Sequence, residues 1–82
     1  MKKTVYKPLT LNIPLNAVKI GFSFKIVPSQ KSVRFFRNRE DQNPITLFGP
    51  NGNVEIDVHS PEIFIECEED VNVSIQVKNY SI

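Results

Sequence analysis

The sequence predicts an all-β protein: a small antiparallel β-sandwich of about seven short strands, jelly-roll or immunoglobulin-like, with a small β-barrel as the alternative. Three observations carry this. Apolar residues recur at every second position along most of the chain, the period of strands with one buried and one wet face. Gly, Pro, Asn and acidic residues cluster between these runs rather than inside them, where chain reversals belong. Ala17 is the only alanine, which argues against substantial helix because alanine is the strongest helix former.

Leu9, Leu11, Ile13 and Leu15 alternate with polar residues or proline and mark a first strand. Pro8 and Pro14 cannot donate ladder hydrogen bonds, so this strand belongs at a sheet edge or is irregular. Ile20, Phe22, Phe24 and Ile26 mark a second strand, and Val33 and Phe35 a shorter third. Residues 37–44 are too polar for a core and read as an exposed loop. Further strands are expected near 45–48, 53–59, 62–67 and 71–79. Gly49-Pro50-Asn51-Gly52 has the composition of a tight hairpin with positive φ at Asn51 and Gly52. With Ser60-Pro61 and Glu68-Glu69-Asp70 as further tight connections, these last four strands are expected to form an antiparallel meander.

At 82 residues the chain supports one core, burying only about 60 per cent of its unfolded surface. Domains this small often gain stability from disulfides, metals or association. Cys67 is the only cysteine and His59 the only histidine, so an internal disulfide is excluded and a structural zinc site lacks its ligands. Association is the support left. The basic N-terminus is not followed by the apolar stretch of a secretion signal, and no apolar run approaches the roughly 20 residues of a membrane span. A cytoplasmic or virion location is therefore expected. Asn72-Val73-Ser74 and Asn79-Tyr80-Ser81 match the glycosylation pattern and, without a secretory route, read as chance.

The charges are divided along the chain. Residues 1–39 hold nine of the ten Lys and Arg and no acid, whereas residues 40–82 hold all nine acids and Lys78 as the one base. Folding either interleaves the signs across the sheets, which stabilises each exposed pair by only about 0.2–1 kcal/mol, or separates them into complementary faces that join subunits head to tail. The lack of disulfide and metal favours separated faces. Phe36 and Phe64 fall off the core parity, beside Arg34, Arg37 and Arg39 in one case and Glu62, Glu66 and Glu68 in the other. Outward aromatics among charges are candidate interface anchors. The alternative makes the basic half a groove for single-stranded nucleic acid, using Lys25, Lys31, Arg34, Arg37 and Arg39 on phosphates.

Catalytic machinery is not visible. His59 ends a strand before a turn, Cys67 continues the parity of Ile63 and Ile65 and reads as core, and the three glycines are too scattered for a phosphate loop. Glu66, Glu68, Glu69 and Asp70 lack the spacing of a dedicated calcium loop. No cofactor is expected. In style alone, a short β-rich chain with many Asn, Ile, Val and Lys resembles the small accessory proteins that clamp or decorate viral and bacteriophage shells. The expectation is a non-enzymatic subunit with protein partners, in a homo-oligomer or a larger hetero-assembly.

Overall fold

The computed structural model describes residues 3–82; Met1 and Lys2, the start of the basic N-terminal tract, lie outside them. Seven strands follow in chain order: β1 Thr4–Thr10, β2 Lys19–Val27, β3 Ser32–Phe36, β4 Ile45–Phe48, β5 Asn51–Asp57, β6 Glu62–Glu68 and β7 Asn72–Ser81. They form two antiparallel sheets, β1-β6-β3-β4 and β5-β2-β7. These face each other as a sandwich and do not close into a barrel.

Alternation along each strand decides what enters the space between the sheets. β2 sends Ile20, Phe22, Phe24 and Ile26 inward, and β6 sends Ile63, Ile65 and Cys67. Leu11, Val33, Phe35, Leu47, Ile56, Val58 and Val71 complete the centre. Phe22 and Phe35 stack across the sheets with centroids 5.1 Å apart, so β3 lies over β2. No polar or charged residue is buried among those described, and no buried side-chain polar atom lacks a partner. The interior is thus held by apolar burial, worth roughly 25 cal/mol per Å².

Three expectations are corrected. The first strand is Thr4–Thr10 rather than 9–15. Pro8 sits within it opposite Phe64, tolerated because β1 is an edge. Residues 11–18 leave the strand: Leu11 and Ala17 are buried while Leu15 is almost fully exposed. The meander does not form, because successive strands change sheets. β4 and β5 belong to different sheets, as do β5 and β6, and β6 and β7. The breakers lie where expected, but they are crossovers. For the same reason Gly49–Gly52 is not a hairpin turn: no residue with positive φ occurs among those described, and Asn51 and Gly52 already belong to β5.

The charge halves are interleaved rather than separated into faces. Acidic β6 lies between β1 and β3, and β2 lies between β5 and β7. Lys19–Glu55 at 3.2 Å, Lys31–Glu68 at 3.1 Å, Arg34–Glu66 at 3.1 Å and Arg37–Asp41 at 3.2 Å each join a base from the first half to an acid from the second. A sheet order that mixes early and late strands produces the first three of these, and Arg37–Asp41 is a local pair within the loop after β3. No helix among the described residues is long and apolar enough to cross a membrane.

Candidate interaction surface

The outer face of the four-stranded sheet carries an aromatic and arginine cluster. Because Ile63 and Ile65 point inward, Phe64 points outward, and the register sets it between Pro8 on β1 and Phe36 on β3. One step along, Glu66 lies between Tyr6 and Arg34. Cross-strand neighbours on one face are within reach of each other's side chains. Tyr6 stacks on Phe64 at a centroid distance of 5.2 Å and 14°, and meets Phe36 edge-on at 5.2 Å and 62°.

Two arginines flank the rings. The Arg34 guanidinium lies over Phe36 and that of Arg39 over Phe64, each 5.4 Å from the ring centroid. Such cation–π contacts are worth about 0.5–1 kcal/mol at exposed sites. Arg34 also donates to Glu66 at 3.1 Å. Beside Phe64, a shallow groove of about 320 Å³ is lined by Pro8, Thr10, Arg39 and Glu62 among others. Charge of both signs therefore borders an aromatic centre.

The cluster modifies the sequence reading of its members. Phe36 is 9 % exposed and so is not an open anchor; Tyr6 from the edge strand covers it. Phe64 is half-buried, and Tyr6, 42 % exposed, is the ring that reaches solvent. Tyr6 is not among the residues that the sequence singles out. Its parity with Pro8 and Thr4 was the available signal, hidden because the first strand was placed too late. Burial, followed by Glu66 and Asp41 nearby, raises the Tyr6 phenol above its ordinary value, and Arg39 opposes them.

Arg37 is held by the 37–44 loop. It donates to Asp41, to the carbonyl of Asn43 and to the carbonyl of Asp57. The Asp41 carboxylate also accepts the backbone N–H groups of Arg37 at 3.0 Å and Asn43 at 2.9 Å. Burial alone would raise its pKa, but these two backbone donors and the Arg37 charge together hold it below the usual aspartate value. A carboxylate depressed in this way stabilises the fold above its unfolded pKa, and the contribution is lost as pH falls through the folded value. Acid unfolding should therefore include a step below about pH 4 that Asp41→Asn removes. Urea midpoints measured from pH 2 to 6 test this, and parallel curves for both proteins would contradict it.

The remaining candidates are dispersed. Lys31 is paired with Glu68 on the cluster's sheet, while Lys25 is exposed on β2 in the opposite sheet. Lys25, Lys31, Arg34, Arg37 and Arg39 thus do not line one groove, and three of the five already engage carboxylates. His59 is exposed, and Cys67 is buried with its thiol directed at the Val71 carbonyl. No protein-family model, curated protein or solved structure matches the chain.

Proposed function

We propose that the protein is a non-enzymatic interaction subunit that docks on a protein partner through the outer face of its four-stranded sheet. The observation that carries this is the Tyr6–Phe64–Phe36 stack flanked by Arg34 and Arg39. Tyr and Arg are the residues most enriched at binding hot spots, and rigid rings lose little entropy on docking. Glu62, Glu66 and Glu68 on the same face favour a partner surface of mixed sign over a polyanion. Interleaved charge steers and orients such a contact without driving it. A decoration-type subunit of a viral or bacteriophage shell is the instance to which the composition leans.

The test is sizing of the native-source material by chromatography with light scattering, at low and high salt, for the natural chain and for Tyr6→Asp. The natural chain is expected in a particle much larger than its own 9.4 kDa. Tyr6→Asp should release it as a folded monomer, since an unpaired charge at an interface centre costs about 2 kcal/mol or more. A natural chain that is monomeric at every salt concentration would refute this reading. A labelled single-stranded oligonucleotide that shifts at about 50 mM salt and is released as salt rises would instead support the nucleic-acid reading.

A further inference from the structure

A second surface, on the inner side of β1 and at the outer edge of β7, follows from a mismatch in strand number. Four strands face three. β4 adjoins β5 and β3 lies over β2 through Phe35 and Phe22, so the strand orders bring β6, the next strand after β3, over β7, the next after β2. Among the described residues this leaves β1 with no strand opposite it and β7 with one free edge. The inner side chains there remain partly wet. Leu9 is 38 % exposed, and Val73, Ile75 and Val77 are half-buried, whereas the inward residues of β2 are all at 8 % or below. A groove of about 650 Å³ runs along this side, with Leu9, Leu11, Ile75, Val77 and Tyr80 alternating with polar residues such as Thr10, Gln76 and Lys78 in its lining.

The other three edges are poor acceptors. β1 contains Pro8, β4 has only four residues, and β5 displays Glu55 and Asp57. Prolines, short strands and charges are how sheet edges are kept from pairing. The ten-residue β7 has a single charge, Lys78. Lys78 is the extra residue of a bulge, since Gly21 pairs with Asn79 and Phe22 with Val77; the bulge returns Tyr80 to the inner side, opposite Ile20. Lys78 lies toward the far end of the β7 edge, and Lys7, donating to the Val71 carbonyl at 3.0 Å just before Asn72, marks its start.

We propose that the free edge of β7 beneath β1 accepts one extended strand from another polypeptide, with apolar side chains at alternate positions and an acidic residue at each end. The strand would pair with the unmet backbone groups of β7, its apolar side chains would cover Leu9, Ile75 and Val77, and its acids would face Lys7 and Lys78. A single segment fits where a second folded copy does not, because each strand of a folded copy brings the rest of its sandwich against β1.

The probe is the end-blocked peptide Asp-Thr-Val-Thr-Val-Thr-Val-Thr-Asp, whose acids share the valine face as Lys7 shares that of Leu9, titrated into the isotope-labelled full chain and followed by NMR. Binding is expected to shift amides of residues 72–79 and to slow their hydrogen exchange about tenfold or more. Proline at the central position of the peptide should abolish binding. Lys78→Glu, an exposed change that leaves the core intact, should weaken binding about threefold and reverse the preference toward the same peptide ended in lysines. No shift at about 1 mM peptide, shifts confined to other surfaces, or β7 amides already protected in a dimer of the chain would each overturn the proposal. None of these results depends on the aromatic face.

Discussion

Replacing Phe35 by alanine is expected to remove a large share of the protein's stability and to lower its melting temperature more than any other single truncation proposed for this chain. Phe35 is fully buried at the centre of β3, stacked on Phe22 of the opposite sheet and paired in register with Ile45 and Ile65. Truncating a buried phenylalanine costs about 3–5 kcal/mol, from lost transfer free energy and the cavity left behind. A domain of this size has a total stability of roughly 5–15 kcal/mol, and its two thin sheets have few neighbours able to collapse into the void. In a chain this short, about 1 kcal/mol lowers Tm by about 4–8 °C, so the expected fall is about 15 °C or more. Calorimetry or circular dichroism reads it. Phe36→Ala, one residue away, should cost less, because its ring lies under Tyr6 on the outer face rather than between the sheets.

Gly49→Ala should be nearly as damaging, for a reason other than turn geometry. A methyl group at Gly49 would collide with the backbone carbonyl of Ser29 and crowd that of Lys31, and the Gly49 N–H already donates to the Lys31 carbonyl at 3.0 Å. The β2–β3 connection and the β4–β5 crossover touch here, backbone against backbone, so relief requires moving a strand connection. Overpacking costs about 1–3 kcal/mol, and the upper end is expected here because backbone rather than a side chain must move. Gly52→Ala is the control. Its added methyl would meet the ring end of Phe24 at 2.9 Å, which a small rotation relieves. Urea denaturation should show Gly49→Ala clearly below Gly52→Ala; equal losses would mean that the close approach at Gly49 is not what requires glycine.

That pair of glycines also shows where sequence reading stops. Alternation placed β2, β6 and β7 and assigned Ile63, Ile65 and Cys67 to the core, because period two is a property of each strand alone. The tetrapeptide 49–52 correctly marked a chain reversal, yet composition does not say whether the next strand joins the same sheet. Strand order depends on how the two layers stack through pairs such as Phe22 and Phe35, which are distant in the chain. The charge split is a similar case. Nine early bases and nine late acids were plain in the sequence, but whether they mix depends on β6 lying between β1 and β3. Tyr6 was missed for a local reason: the Leu9–Leu15 alternation was stronger than that of Thr4–Thr10, and only pairing with β6 makes the earlier segment a strand.

The outward position of Phe64 was legible from parity, and so was the company of Glu62, Glu66 and Glu68; that β3 brings Arg34 and Phe36 beside them was not. What covers Phe36 was not, since it is supplied by a strand two positions away in the sheet. The outer face is therefore a layered surface, with Phe36 as its floor, Phe64 half-buried, and Tyr6 and Arg39 on top. In such an arrangement the upper groups make the contact and the lower ones keep them rigid.

Hydroxyl-radical footprinting of the chain, free and within its native particle, probes this face most directly. Tyr6 should lose most of its reactivity in the particle, while exposed Leu15 and Val27, the latter on the outer side of the opposite sheet, report the remaining surface. Tyr6 reacting equally in both states would contradict the assignment of the aromatic face as the docking surface.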